Sequence, residues 1–289
     1  MSADPGPWRA RMYKNLMIPM TGTEGDVGAL DVAMALARLH AAHLSVLEMV
    51  DLPMPLAHPW GLIPDSISAG IHDSLRERGR ENLEKLKQQL AGESISSEAR
   101  LVEALYTESP RLAAREAFDA DLVVVAGSVG DTVEAIVPHD YFVALLLESG
   151  RPLLVIPPRC VATIPMKRIA IAWQPTREST RAVHDALPFL KDAERVDVLI
   201  IHGDDTPDVE PSGRRMVKCL ARHGVDAYLV SRPTLGQTVA TAILQYTREM
   251  RADVLVAGGY GHSRLREWAL GGVTRELLIA TDLPMLFGH

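Results

Sequence analysis

The residues most suited to chemistry in this sequence are two clusters of glycines near its carboxyl terminus. The stretch from Gly258 to Leu277 reads GGYGHSRLREWALGGVTREL, and it follows ADVLVA, an apolar run typical of a buried strand. Glycine allows a positive φ and lets a ligand approach backbone that a Cβ would block. The spacing indicates either a backbone site for a ligand or two tight turns with no other role.

The second glycine cluster is expected to begin a helix. Gly271 and Gly272 would open it, with Val273 and Leu277 facing the sheet. The first turn of a helix has free N–H groups and a partial positive charge, which together bind phosphate oxygens. Thr274 adds a hydroxyl group to the same turn. Because ligands of open parallel sheets bind beyond the carboxyl ends of strands, the location favours a site.

The elements that would position these glycines occur twice along the chain. Apolar strand-like runs correspond in order between the halves: KNLMIPM with KRIAIAW, LSVLEMV with VDVLIIH, ADLVVVAG with ADVLVAGG, and SGRPLLVIPP with TDLPMLFGH. Amphipathic segments separate them, and this alternation is typical of a parallel sheet covered on both faces. We expect an α/β fold of two tandem five-stranded parallel-sheet units, residues 1–158 and 159–289, packed together through their last strands.

Two proline-bearing stretches interrupt the alternation. The first, DLPMPLAHPWGLIPDSISAG at residues 51–70, is expected to be an irregular loop that covers a site or a domain seam, since closely spaced prolines disfavour another strand. The second, PPRCVATIPM at residues 157–166, joins the halves. Its shortness predicts that the two units pack closely.

The order of glycines after the last-but-one strand carries a resemblance. This stretch resembles the nucleotide loop of the universal stress protein family. It follows a strand preceded by Ala-Asp, and in it two residues separate Gly258 from Gly261 and nine separate Gly261 from Gly271, which Gly-Val-Thr follows. That family has a five-stranded parallel α/β unit of the adenine-nucleotide-binding type, and one of its forms carries two units in tandem. The resemblance implies ATP, or ADP or AMP, with Mg²⁺ as a possible companion. By this resemblance, the phosphates and ribose would be held in the second half by Gly258, Gly261, Gly271, Gly272 and Thr274. The adenosine would lie near Gln174, His202 and Gly203.

Two positions depart from the family pattern. Nucleotide-binding members usually have Ser or Thr directly after the third glycine, where this chain has Gly272. They also usually have Asp at the end of the first strand, where this chain has Gln174. Gln174 can hydrogen-bond a ribose or a base but brings no charge. These departures leave open the alternative that the glycine loop is structural.

The corresponding loop of the first half is predicted to have lost triphosphate binding. Gly127 and Gly130 keep the first spacing, but Asp140 stands where the third glycine is expected, and an acidic residue there would repel phosphate. The remaining roles for this half are a packing partner, a regulatory surface, or a site for an uncharged molecule.

Three function classes fit these patterns. The favoured one is an ATP-binding stress-response or signalling protein with little or no catalysis; the others are a slow ATP hydrolase and a nucleotide-free interaction module. No acid–base groups converge on the expected phosphates in sequence, and no histidine pair has metal-site spacing with a third ligand, so no catalytic or metal residue is assigned. Trp173 is expected to stack on a base or to lie at a domain seam, and Cys219 is interpreted as core filling.

Composition limits the partners. The 289 residues carry a net charge of −7 without a dense Lys/Arg run, which disfavours nucleic acid and anionic membranes as partners. Two cysteines, no apolar leader segment and no run of about 18 apolar residues favour a cytoplasmic location. The expected partners are an adenine nucleotide, a protein of unknown identity, and the other half of the chain as a pseudo-dimer, with a homodimer as a further expectation.

Overall fold

Twelve strands and nine helices form within the part of the chain that the computed structural model describes, namely residues 13–54, 57–58, 61–62, 65–128, 130, 135–158, 160–203, 209–259 and 272–289. The strands are β1 Asn15–Met20, β2 His43–Leu52, β3 Ala57–His58, β4 Gly61–Leu62, β5 Ser96–Leu105, β6 Leu122–Ala126, β7 Leu153–Ile156, β8 Arg168–Ala172, β9 Arg195–His202, β10 Ala227–Pro233, β11 Val254–Gly258 and β12 Met285–Gly288. The helices are α1 Gly25–His40, α2 Asp65–Ala91, α3 Ser109–Glu116, α4 Ile136–Glu148, α5 Arg177–Asp185, α6 Leu187–Leu190, α7 Glu210–Arg222, α8 Val239–Met250 and α9 Gly272–Ala280. None of these helices is long and apolar enough to cross a membrane.

Ten of the strands form one open sheet, in the order β10-β9-β8-β11-β12-β7-β6-β1-β2-β5. Within each half the five strands pair in parallel and follow the same connectivity. The halves meet where β12 pairs antiparallel with β7, with Met285 opposite Val155 and Phe287 opposite Leu153. The predicted α/β fold class is confirmed, and the halves join through their last strands as expected.

An aspartate in each half anchors the first strand to the fourth. Asp121 accepts hydrogen bonds from the backbone N–H of Asn15 at 2.9 Å and of the residue before it at 2.7 Å. Asp253 accepts the equivalent bonds from Arg168 and the residue before it, both at 2.8 Å. Bonds to a carboxylate are stronger than neutral ones. The repeated Ala-Asp before an apolar run is therefore explained by this anchor.

Helices cover both faces of the sheet. The helices α1, α2, α5 and α7 pack on one face, and α3, α4, α8 and α9 pack on the other. Alternate strand residues point to opposite faces, so that Ile169 and Ile171 lie in one apolar core and Ala170 in the other. At the join, the ring of Phe142 on α4 meets that of Phe287 on β12 edge-on at 5.1 Å between centroids. Removal of these apolar surfaces from water holds the halves together.

The expectation of an irregular loop at residues 51–70 is wrong in part. The strand β2 continues to Leu52 because it pairs with β5 over ten residues. A short hairpin of β3 and β4 follows, and α2 already begins at Asp65. Most of the extra length of the first half is therefore the 27-residue α2, which buries Leu86 and Leu90.

The last helix differs from expectation at one position. Leu277 and Leu278 of α9 are buried, as an amphipathic helix requires. Val273 is 37% exposed and does not face the core as predicted, because it lies in the first turn on the solvent side.

Candidate functional site

The strand order creates a crevice at the carboxyl ends of β8 and β11. These two strands are neighbours, yet the helix that follows β8 covers one face of the sheet and the helix that follows β11 covers the other. Chains that leave in opposite directions open a gap between them, and ligands of doubly wound sheets bind there. The first half has the same crevice between β1 and β6.

The structure brings four of the predicted residues to this edge of the second half. Gln174 is exposed two residues beyond β8, and its carbonyl accepts a hydrogen bond from the N–H of Thr176 at 2.8 Å. His202 ends β9, Gly203 follows it, and both are half-buried. Gly258 ends β11. Gly261 and Gly271 lie outside the described residues.

Gly258 is a glycine because of packing. A Cβ built on it would lie 2.5 Å from the N atom of Ser179 and 3.0 Å from the Cβ of Glu178, at the start of α5. Contacts this close to backbone cannot form without moving the helix. Its φ is outside the left-handed region, so the freedom to adopt a positive φ is not what requires glycine at this position. The residue lets the helix approach the strand end.

In the first half, the equivalent contact between helix and strand has its glycine on the helix instead of on the strand. Ten residues beyond the anchored start of the first strand, α5 has Glu178 and α1 has Gly25. A Cβ on Gly25 would lie 3.1 Å from the Cβ of Ala126 at the end of β6. One half therefore places the small residue on the strand, at Gly258, and the other half places it on the helix.

The first-half glycine pair is displaced along its strand. The N–H of Gly127 bonds to Ile156, and in the second half it is Gly259, not Gly258, that makes the equivalent bond to the last strand. Gly127 and Gly130 keep the spacing of the predicted motif, but they sit one residue further out. Counting along the sequence also put Asp140 at the position of the third glycine, ahead of the helix. In the structure it is an exposed residue within α4.

Two carboxyl groups occupy the crevice region of the first half. Asp26 is buried and accepts hydrogen bonds from the hydroxyl of Thr21 and the N–H of Gly22, both at 2.8 Å. Burial raises its pKa, and those hydrogen bonds act in the opposite direction. Glu48 is buried nearby, where burial raises its pKa and the amide of Asn82 donates at 3.0 Å. A triphosphate placed here would face both carboxyl groups.

The two helix starts at the second-half crevice differ. The first turn of α5 is capped internally, because the hydroxyl of Thr176 accepts from the N–H of Ser179 at 3.2 Å. Beside it, the carboxylate of buried Glu178 lies 3.3 Å from the guanidinium of Arg177. At α9, Gly272 is exposed, and among the residues that the structure describes a Cβ there would meet nothing nearer than Glu276 at 3.9 Å. None of the described residues therefore fills the space beside Gly272.

Thr274 is the predicted hydroxyl-bearing residue of that turn. It is 7% exposed, so its side chain is mostly covered by protein. Any hydroxyl contact from the first turn would depend on the small part of it that solvent reaches.

Sequence reasoning missed a cleft between α5 and α7. Its volume is about 530 Å³, and Trp173 and Cys219 line it. Trp173 lies on this helix-covered side, where its indole N–H donates to Ser212 at 3.0 Å. This contact differs from both expectations for Trp173, which were stacking on a base and packing at the seam between the halves. Cys219 packs against the core, as interpreted, but it is also half-buried at the cleft.

No group of three or more His, Cys, Asp or Glu side chains within the described ranges could hold a metal ion. Both cysteines, Cys160 and Cys219, are free thiols.

Comparisons with known proteins match the fold. No protein-family model and no curated protein sequence matches the chain. Among solved structures, a universal stress protein from Archaeoglobus fulgidus is similar, with a TM-score of 0.70, 16% identity, and coverage of 94% of this chain and 97% of that one. The chain has the universal stress protein fold.

Two Pseudomonas aeruginosa structures support the same fold over the whole length. One is a functionally unknown protein with a TM-score of 0.58, 16% identity, and coverage of 96% of this chain and 92% of that one. The other is a proposed universal stress protein with a TM-score of 0.59, 16% identity, and coverage of 96% and 93%. Since these matches span both halves, the two-unit form of the fold is the relevant one.

Proposed function

We propose that the chain binds an adenine nucleotide, ATP in the first instance, at the second-half crevice, and acts as a stress-response or signalling protein with little or no turnover. The observation that carries the proposal is that α9 begins at exposed Gly272, in the connection that follows the carboxyl end of β11. Free N–H groups and the helix dipole at such an end favour phosphate. In this proposal the adenosine would contact Gln174, His202 and Gly203 at the adjacent strand ends.

The contrast between the halves supports a single site per chain. The first-half crevice contains buried Asp26 and Glu48. At the second-half crevice the buried Glu178 lies 3.3 Å from Arg177, so its charge is partly balanced. We place the division between the two units at residue 158, between the end of β7 at Ile156 and the start of β8 at Arg168.

The direct test is to denature freshly purified protein and identify any released nucleotide by mass spectrometry. About one equivalent of ATP or ADP per chain is expected. Phosphate release from added ATP should be slow or absent, and rapid release would instead make the chain a hydrolase. If nothing is released and ATP gives no heat of binding, the proposal fails.

A substitution at Gly272 tests the location of the phosphates. Gly272→Ser restores the hydroxyl that nucleotide-binding relatives usually carry, and its Cβ has space. One added hydrogen bond, about 1 kcal/mol, should tighten ATP binding roughly fivefold. The matched control is Gly28→Ser on α1, where a Cβ would meet none of the described residues within 4 Å. Equal ATP affinities for the two variants would remove α9 from the site.

The second candidate function is a nucleotide-free interaction module. The specific observation in its favour is that close packing on α5 already accounts for Gly258 without a ligand. The two candidates separate cleanly, because only the first predicts nucleotide released from the purified protein.

A further inference from the structure

A second concave surface begins at the sheet edge, where Trp173 and Pro175 flank Gln174, and continues down between two helices. The cleft between α5 and α7 is on a helix-covered face of the second half, and its volume of about 530 Å³ falls in the size range of small-molecule sites, about 300–1,000 Å³. Along α5 it runs from Thr176 to His184, which is roughly 12 Å at 1.5 Å per residue. It is an elongated cleft, longer than a single side chain.

The walls of the cleft are apolar and fixed. Trp173 and Met216 are 6% and 7% exposed, and half-buried Cys219 continues the wall. The indole N–H of Trp173 donates to Ser212, and the hydroxyl of Ser212 donates to the carbonyl of Val209 at 2.6 Å. These two bonds hold the tryptophan in one orientation, so the small part of its ring that is exposed keeps a fixed position at the cleft.

The charges at the cleft are positive. Arg177 and Arg215 line it together with His184, and no Asp or Glu is among the lining residues that the structure describes. Arg177 lies 3.3 Å from Glu178, which is buried beneath it. Arg215 is exposed and makes no ion pair with any residue that the structure describes. An anion would therefore find an uncompensated guanidinium at the cleft.

The acidic residues of α5 and α7 themselves are already paired. On α5, Asp185 accepts from Arg181 at 2.9 Å, and on α7, Glu210 lies 2.6 Å from Arg214. These pairs leave the positive character of the cleft unchanged.

The first half lacks this charge pattern at equivalent positions. The N–H groups of Asp121 and Asp253 bond to the carbonyls of Asn15 and Arg168, which makes those two positions equivalent. Counting onward from them, Glu24 corresponds to Arg177 and Asp31 corresponds to His184. The cationic cleft is specific to the second half and does not follow from the fold.

We propose that this cleft binds a small amphipathic carboxylate, whose apolar body lies along Trp173 and Met216 and whose carboxylate reaches Arg215 and Arg177. The cleft adjoins the nucleotide crevice, because Trp173 and Pro175 flank Gln174, but the rest of its lining lies along α5 and α7, so the inference does not rest on nucleotide binding. Planar guanidinium groups match carboxylates through paired N–H donors. Decanoate has the required chemistry and a suitable length, and it serves as the probe.

The experiment uses the full chain with Cys160→Ser, which leaves Cys219 as the single thiol. Decanoate should bind in calorimetry with one site per chain and should slow maleimide modification of Cys219. Decanol and decylamine, which share the tail but not the charge, should bind at least tenfold more weakly. Arg215→Glu should weaken decanoate binding about tenfold, while Arg222→Glu, an exposed position on the same helix outside the cleft, should change it less than twofold.

A filling variant separates the cleft from general surface charge. Thr180→Phe puts an apolar ring into the cleft without altering charge, and it should abolish decanoate binding and thiol protection together. Equal weakening by Arg215→Glu and Arg222→Glu, or binding that survives Thr180→Phe, would overturn the proposal. Displacement of decanoate by ATP would overturn it as well, because the cleft would then belong to the nucleotide site.

Discussion

Replacing Gly258 by alanine tests whether this glycine serves packing. The added methyl carbon would lie 2.5 Å from the N atom of Ser179 and 2.8 Å from the carbonyl carbon of Glu178. Favourable carbon contacts begin near 3.5 Å, so α5 and β11 must separate by roughly 1 Å. Both obstructing atoms belong to backbone, and a rotamer change cannot relieve them.

The expected cost follows from this forced separation. Inserting one methyl group into a packed contact costs about 1–3 kcal/mol, and backbone obstruction places Gly258→Ala toward the upper end. Alanine also stabilises by about 0.4–1 kcal/mol through the unfolded chain, which offsets part of the loss. A net loss of about 2 kcal/mol corresponds to a fall in Tm of roughly 4–8 °C for a protein of this size.

Urea denaturation followed by circular dichroism measures the loss. Gly272→Ala is the matched control in the same half, since its Cβ would meet no described residue nearer than 3.9 Å. Its free energy of unfolding should stay within about 0.5 kcal/mol of the wild-type value. If both variants are equally stable, the close approach of α5 to β11 is not what requires glycine. A ligand role for Gly258 would then be the better explanation.

Three further outcomes follow from buried polar contacts. Asp253→Ala should cost about 1–3 kcal/mol in the free energy of unfolding, and Asp121→Ala less, because the second-half anchor is the more buried of the two. Tyr246→Phe should cost about 1–3 kcal/mol in the same assay, since it removes the donor at 2.6 Å from fully buried Asp197. Burial and that carboxylate raise the pKa of Tyr246 to about 12. Stability should therefore fall between about pH 10 and 12, where the unfolded tyrosine ionises first, and the fall should be smaller in Tyr246→Phe.

The sheet was predictable because its strands are short, apolar and repeated. Val123 and Leu255 stand in matching runs after matching aspartates, and each run can only be a strand buried on both faces. The extent of α2 was not predictable, because prolines near residues 53–64 suggest a loop while the helix gains its stability from burying Leu86 and Leu90.

The candidate site was predictable only as a position. The predicted strand ends put Gln174 and Gly258 on one edge of the sheet. The sequence could not show that Gly258 is required by its close contact with the backbone of α5. Glu48 was a readable signal that was missed, since a carboxylate inside the apolar run LSVLEMV has to find a partner. The cleft could not be predicted from the sequence, because Trp173 and Ser212 are far apart along the chain and come into contact only in the folded protein.

The antiparallel pairing of β7 with β12 has a consequence for how the halves can change. When two identical chains meet about a twofold axis, every substitution appears on both sides of the contact. In this chain the two sides of the contact are formed by different residues of one sequence. Leu146 of the first half can therefore fill the space beside Gly259, while the equivalent position of the second half is free to carry another residue. The linkage also keeps the halves together at any dilution. One half can therefore lose its ligand loop while the other keeps it, and the shared sheet survives the divergence.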